Sequence, residues 1–124
     1  MNLVDSCGWL EYFADGPNAD FFARPLKNTD KLIVPSICIL EVYKKILNQR
    51  GEETALQTAA AMQQGDIVDL NVSIALSAAK ISNDLSLPLA DSVILATARS
   101  YNALVWTQDS DFKSIAGVKY VEKK

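Results

Sequence analysis

The segment that decides the fold is ALVWTQDSDF, residues 103–112. Its first four residues, Ala103–Trp106, are all apolar, which predicts a short strand buried on both faces, as in a parallel sheet. A threonine and two aspartates follow this strand closely. In open parallel sheets, binding sites lie beyond the carboxyl ends of the strands. The segment therefore predicts both the sheet and the edge where polar side chains act.

Short apolar runs and helical patterns alternate along the rest of the chain. Further strands are predicted at Leu3–Val4, Lys31–Val34, Ile67–Leu70 and Val118–Val121. Helices are predicted at Ser6–Phe13, Asn18–Arg24, Ser36–Arg50, Glu52–Gln64, Val72–Leu85 and Pro88–Tyr101. Ser6 and Ser36 are the candidate caps of their helices. This alternation predicts an α/β fold, a three-layer α/β/α sandwich with a mostly parallel central sheet.

Length and composition limit the number of domains and the available chemistry. The chain has 124 residues, 49% of them hydrophobic and 22% charged, so we expect a single domain over residues 1–124. Histidine is absent, which excludes His-ligated zinc or iron and the usual imidazole base. Cys7 and Cys38 each lie in an apolar stretch, and we expect small buried side chains in a reducing compartment rather than a disulfide.

The charge and the apolar runs bear on binding and location. The net charge is −3 at pH 7, which argues against nucleic-acid binding through bulk positive charge. It allows metal ions held between the protein's own acids and a phosphate. The first residues lack the basic region of a signal peptide, and no apolar run is long enough for a membrane span. We therefore expect a cytoplasmic protein.

Carboxylates from distant segments are expected to meet at the carboxyl edge of the sheet. Asp5 directly follows one predicted strand, and Asp109 follows another by three residues. Glu41 and Asp91 fall in the early turns of helices, and a helix that leaves a strand's carboxyl end begins at that same edge. Asp91 shares a helical stripe with apolar residues three, four and seven positions later. Acids beside a core-facing stripe are costly unless they are paired or bound to a metal.

Each acid taken alone also has an ordinary structural explanation. Asp5 could cap the first helix, and Asp91 could be favoured by the helix dipole. Glu41 could pair with Lys45 on the next turn. The two acids after the Ala103–Trp106 strand could cap a short turn. The residues alone therefore leave an acidic metal site and a set of unrelated structural roles both open.

The order of these segments resembles the PIN-domain family, and the length and layout are most similar to the VapC toxins of toxin–antitoxin pairs. The matching segments are Leu3–Ser6, Pro35–Val42, Leu89–Ala98 and Leu104–Phe112. The likeness covers essentially the whole chain, in order. The resemblance implies a PIN-like fold and a metal-dependent endoribonuclease that hydrolyses RNA phosphodiesters with Mg²⁺ or Mn²⁺.

The resemblance also implies a role for each site residue. The metal ligands and catalytic residues would be Asp5, Glu41, Asp91 and Asp109. The supporting side chains would be Thr107, Ser6 and Asp111. The last acidic position leaves a choice, with Asp109 preferred as the ligand and Asp111 as its alternative.

Partners follow from the same resemblance. It implies an RNA substrate, a cognate antitoxin protein and a homodimer, with no membrane contact. Phe21–Phe22, Tyr43 and Ile46–Leu47 could supply apolar contact surface or belong to the core. Two other functions stay open: a non-catalytic interaction module of the same fold, and a housekeeping RNA-processing nuclease.

Overall fold

The computed structural model describes the whole chain, residues 1–124. Its strands are β1 (Asn2–Val4), β2 (Leu32–Pro35), β3 (Asp66–Val68), β4 (Leu104–Thr107) and β5 (Val118–Tyr120). Its helices are α1 (Ser6–Phe13), α2 (Ala19–Lys27), α3 (Ser36–Arg50), α4 (Glu52–Met62), α5 (Val72–Leu85) and α6 (Leu89–Ser100). Short 3-10 turns cover Thr29–Lys31 and Ser110–Phe112. None of the helices combines the length and the apolar character that a membrane crossing requires.

All five strands pair in parallel, in the order β3-β2-β1-β4-β5. The chain moves outward from β1 to β3, then crosses back to β4 on the other side of β1. Right-handed crossovers along this path put α1 to α4 on one face and α5 and α6 on the other. The predicted α/β/α sandwich is confirmed, and its sheet is entirely parallel. The chain leaves β1 and β4 in opposite directions, so their carboxyl ends form the crevice where such sheets bind ligands.

Helix α1 packs closely on the sheet because residue 8 is a glycine. A Cβ atom at Gly8 would lie 2.6 Å from the Phe22 ring and from the Val4 side chain. On the same face, the Phe21 and Trp106 rings pack with their centroids 5.0 Å apart. These contacts fix α1 and α2 over β1 and β4, the strands that precede the first and last predicted acids.

Helix α6 covers the other face and carries the predicted apolar stripe. Ile94, Leu95 and Ala98 are buried, which confirms the stripe. The Ser92 hydroxyl donates to the carbonyl of Pro88 over 2.9 Å. This bond anchors the first turn of α6, the turn that contains one of the predicted acids.

The predicted elements agree with the structure to within two residues at each end, except that α2 ends three residues later than predicted. Strand β3 ends two residues earlier than predicted, and both differences have tertiary causes. Helix α2 continues beyond the predicted end at Arg24 because Pro25 and Leu26 are buried, and their packing offsets the hydrogen bond that proline removes. Strand β3 does not extend to Leu70 as predicted. Its partner β2 ends at Pro35, opposite Val68, and leaves the following residues unpaired.

The two predicted serine caps are also wrong. Asp5 is the N-cap of α1, and its Oδ1 accepts a hydrogen bond from the Ser6 N–H over 2.7 Å. Pro35 occupies the N-cap position of α3 and makes no side-chain cap bond, so Ser36 is already inside the helix. In both cases the helix begins so close to the end of its strand that the N-cap position falls on the residue before the serine.

Candidate metal centre

Asp5 is fixed both by its backbone and by its side chain. Its N–H donates to the carbonyl of Trp106 over 3.0 Å and so extends the ladder between β1 and β4. Its Oδ1 caps α1 through the Ser6 N–H, and its Oδ2 accepts from the Thr107 hydroxyl over 2.8 Å. The side chain is 3% exposed. The carboxylate therefore has one well-defined orientation at the carboxyl end of the central strand.

Asp109 is held by the same threonine. The Asp109 N–H donates to Thr107 Oγ1 over 2.9 Å, so this hydroxyl donates to Asp5 and accepts from Asp109 at the same time. Asp109 Oδ1 in turn accepts from the Asp111 N–H over 2.9 Å and caps the 3-10 turn Ser110–Phe112. Because β1 and β4 are neighbours in register, the residues that follow them meet around this one hydroxyl group.

Asp91 approaches these two acids from α6, which covers one face of the sheet. One carboxylate oxygen from each of Asp5, Asp91 and Asp109 lies within 4.8 Å of the others. Asp91 is in the first turn of α6, whereas the other two residues follow β1 and β4. Separations of this order occur between the oxygen ligands around one divalent ion. Three segments that are far apart in sequence therefore form one acidic group at the crevice of the sheet.

Glu41 and Asp111 lie outside this group of three acids. The Ser6 hydroxyl donates to Glu41 Oε1 over 2.7 Å and connects Glu41 on α3 to the residue next to Asp5. Asp111 is exposed, and its backbone supports Asp109. The structure therefore brings together three of the four acids predicted as ligands, connects the fourth through Ser6, and puts Asp109 rather than Asp111 in the group.

Burial and mutual repulsion make these carboxylates harder to ionise. Burial raises the pKa of Asp5 and the charge of Asp109 adds to the effect, while hydrogen bonds from Thr107, Cys7 and the Ser6 N–H oppose it. Burial, and after it the charges of the four neighbouring acids, raise the pKa of Asp91 from its ordinary 3.8 to about 7. In the absence of a cation, Asp91 is therefore about half protonated at neutral pH.

No cationic side chain neutralises the acids. The one ion pair of the protein joins Lys80 and Asp84 at 3.7 Å on the surface of α5, and none of the three acids takes part in it. The pair between Glu41 and Lys45, considered above as an ordinary explanation, is not formed. The carboxylates are held only by hydroxyl, thiol and amide donors, and a divalent cation would supply the missing positive charge.

Cys7 contacts the acidic group, and the sequence prediction did not include it. Its Sγ donates to Asp5 Oδ2 over 3.2 Å and lies 3.4 Å from Thr107 Oγ1. The predicted burial is therefore wrong for Cys7, which is partly exposed beside the acids, and is confirmed for Cys38; both cysteines are free. Burial and the charge of Asp5 raise the pKa of Cys7 to about 12, so the thiol stays protonated. The sequence did offer one indication of this contact, because Cys7 lies two residues after Asp5, in the first turn of a helix.

The apolar residues considered as contact surface divide between core and surface. Phe22 and Ile46 are buried and belong to the core. Phe21 and Tyr43 are partly buried, and Leu47 is exposed. Only part of this set is therefore available to a partner.

Comparison with known proteins gives one family and a set of solved structures. The PIN domain family model matches residues 3–118. A toxin–antitoxin complex from Klebsiella pneumoniae contains a similar chain, with 23% identity over 96% of both chains and a TM-score of 0.81. DNA-bound VapBC from Salmonella typhimurium has 17% identity over 98% of both chains and a TM-score of 0.75.

A third similar structure is VapC20 from Mycobacterium tuberculosis, described as a sarcin-ricin loop cleaving toxin. It has 14% identity over 94% of this chain and 95% of its own, with a TM-score of 0.76. At these identities the solved structures demonstrate a shared fold. No curated protein sequence matches the chain.

Proposed function

The chain belongs to the PIN domain family, and from that premise we propose that it is a divalent-metal-dependent endoribonuclease, the toxin of a toxin–antitoxin pair. The observation that carries this proposal is the acidic group of Asp5, Asp91 and Asp109. It lies in the crevice between β1 and β4, where open parallel sheets bind their ligands. The raised pKa of Asp91 means that the folded protein maintains this group at an energetic cost, as expected for a functional site.

The donor set fits Mg²⁺ or Mn²⁺. These ions prefer carboxylate oxygens, and the neighbouring thiol of Cys7 is protonated and unsuited to a soft metal. Asp5, Asp91 and Asp109 are the proposed ligands, and Glu41 completes the acidic set from α3. When bound, such an ion polarises a phosphate oxygen, lowers the pKa of a bound water and stabilises the leaving oxygen.

The other side chains of the centre orient the acids. Thr107 fixes one oxygen of Asp5 and the backbone of Asp109, which restricts the directions in which both carboxylates can point. Ser6 does the same for Glu41 through its hydroxyl. Preorganised ligands of this kind do not have to rearrange when substrate arrives, which favours the transition state.

A neighbouring cavity is suited to the RNA backbone. It has a volume of about 430 Å³ and lies between α1, α3, α4 and the C-terminal residues. Lys45, Arg50 and Lys123 line it, and it reaches the metal centre at Cys7 and Gln108. Cations placed in this way attract phosphates despite the negative net charge of the whole chain.

We propose a cognate antitoxin and a second copy of the chain as protein partners. The similar structures from Klebsiella pneumoniae and Salmonella typhimurium are toxin–antitoxin complexes. Leu40 and Leu89, which precede the acids on α3 and α6, are 63% and 71% exposed, and Val72 and Leu76 are exposed one turn apart on α5. Contiguous exposed apolar surface is typical of contact sites, and these side chains are the candidates for it. We also propose that the protein acts in the cytoplasm, where its RNA substrate is made.

Cleavage of a bulk RNA pool tests the proposal. The purified protein, free of any antitoxin, is incubated with total tRNA and rRNA in Mg²⁺, in Mn²⁺ and in EDTA. Asp91→Asn serves as the inactive variant, and Asp30→Asn removes an exposed acid at the opposite edge of the sheet as the matched control. We expect discrete products with the wild type and with Asp30→Asn, only when metal is present.

The other outcomes discriminate between the remaining functions. Absence of both cleavage and Mn²⁺ binding would reject the nuclease and favour the non-catalytic interaction module. Cleavage without growth arrest on induction would favour a housekeeping nuclease over a toxin. Growth arrest that is lost with Asp91→Asn would support the toxin.

A further inference from the structure

We propose, on the basis of the proposed function, that Asn18 and Gln108 are positioning residues that hold Asp109 in the metal centre. Both amide side chains are buried, with 3% and 7% exposure. Asn18 Nδ2 donates to Gln108 Oε1 over 2.9 Å and to the backbone carbonyl of Glu122 over 3.0 Å. One amide therefore joins the turn between α1 and α2, the residues after β5, and the residue next to Asp109.

Asn18 departs from the usual behaviour of an asparagine at a helix start. Asn18 occupies the N-cap position of α2, where an asparagine oxygen normally accepts from the helix backbone. Asn71 does this for α5 and accepts from the Ile74 N–H over 2.9 Å. Asn18 makes no such bond and directs its amide away from its helix, towards Gln108. Helix α2 thus gives up a stabilising cap so that this side chain reaches the end of β4.

Gln108 lies between two residues of the metal centre, so a displacement of its backbone would move both of them. It lies between Thr107, whose hydroxyl binds Asp5, and Asp109, whose N–H binds that hydroxyl. The Thr107 carbonyl also accepts from the Val121 N–H over 3.0 Å. Because successive side chains alternate in direction along an extended segment, Gln108 leaves the strand opposite to Thr107 and fixes the backbone from that other side.

Asn18 is itself held rigidly. Its N–H donates to Glu11 Oε2 over 2.8 Å. A residue of α1 therefore holds the backbone of Asn18 in place. Apolar side chains could fill the same space with no hydrogen-bonding requirement, so packing alone does not account for two buried amides. Residues that orient a metal ligand typically change metal affinity about 10- to 100-fold when they are substituted.

The experiment compares two disrupting variants with one matched control in the full-length protein. Asn18→Ala removes both donors, and Gln108→Met removes the acceptor at nearly constant size. Asn71→Ala removes an asparagine at the same helix position in α5, where it is a true cap. The readouts are the Kd for Mn²⁺, measured by electron paramagnetic resonance, and the hydrogen exchange rate of the Asp109 amide, measured by NMR.

We expect the Kd for Mn²⁺ to rise about tenfold in Asn18→Ala and in Gln108→Met, with faster exchange at the Asp109 amide. Asn71→Ala should keep both values within about twofold of the wild type although it loses a cap. A further variant, Gln108→Glu, keeps an acceptor oxygen for Asn18 and should retain the exchange rate of the wild type. Wild-type Kd values and exchange rates in both disrupting variants would overturn the positioning role while leaving the proposed function intact.

Failure of the proposed function has a different signature. A wild-type protein that binds no Mn²⁺ would reject the metal-dependent nuclease. The exchange rate of the Asp109 amide would then decide the positioning role alone, since it requires no metal: faster exchange in both disrupting variants supports it, and unchanged exchange in both overturns it.

Discussion

Replacement of Asp91 by asparagine should stabilise the metal-free protein, and it should do so only above a certain pH. In the folded protein the pKa of Asp91 is about 7, raised by burial and by the surrounding acids from its ordinary 3.8. Between these two values the unfolded chain has released the proton while the folded protein still holds it. Stability therefore falls as pH rises from about 4 to about 7 and then stays low, by linkage. An asparagine at position 91 does not titrate and removes this loss.

The magnitude follows from the size of the pKa difference. About three units correspond to about 4 kcal/mol at full effect, since each unit is about 1.4 kcal/mol. Asp91 is only half-buried and solvent screens part of the interaction, so we expect about 2 kcal/mol. For a domain of this size, that free energy raises Tm by about 6–10 °C.

The assay is thermal unfolding in EDTA at pH 4 and at pH 8, for the wild type, Asp91→Asn and Asp30→Asn. We expect Asp91→Asn to unfold at the higher temperature at pH 8, a much smaller difference at pH 4, and no gain from Asp30→Asn at either pH. A Tm for Asp91→Asn below that of the wild type at pH 8 would refute the reasoning. It would mean that the Asp91 carboxylate supports the fold instead of opposing it.

Three further predictions concern the centre. Mn²⁺ at about 100 times its Kd should stabilise the wild type by about 2.7 kcal/mol, seen as a rise in Tm that EDTA reverses and that Asp91→Asn lacks. As the pH rises towards 7, the affinity for Mn²⁺ should increase about tenfold per pH unit, and above pH 7 it should level off. The reason is that the ion displaces the proton of Asp91, and calorimetric titration at several pH values measures the effect. Thr107→Val leaves the Asp109 N–H without an acceptor and removes the hydroxyl donor from Asp5 Oδ2, so it should lower the free energy of unfolding by about 1–3 kcal/mol and reduce cleavage. Thr107→Ser keeps the hydroxyl and should retain both properties, as judged by urea unfolding and RNA cleavage.

The architecture was largely predictable because the strands are short, apolar and separated by helical patterns. Ala103–Trp106 indicated a strand buried on both faces, and β4 is such a strand. The errors arose where a distant contact overrides local preference. Pro25 is a local helix breaker, yet its burial against the core keeps α2 intact. Leu70 suits a strand, yet β2 offers it no partner.

The residues of the candidate site that could be predicted best are those that come soon after the end of a strand. Asp5 and Asp109 come after neighbouring strands, so the parallel-sheet rule alone indicates that they meet. The rule gives an edge but no distances, and for this reason it did not separate Glu41 from the other acids. Asn18 and Gln108 could not be predicted as a pair, because no sequence period relates a turn residue to a residue beyond a strand 90 positions later.

The register between β1 and β4 makes the core and the metal centre depend on each other. Val4 lies opposite Trp106, and the next residue, Asp5, therefore reaches the Thr107 hydroxyl. A shift of one residue would turn the Thr107 side chain to the other face of the sheet and separate it from Asp5. The register is supported by apolar packing on one face of the sheet, with the Trp106 ring on Phe21 and Val4 under α1. Substitutions that loosen these apolar contacts should therefore weaken metal binding even though they leave every carboxylate in the chain.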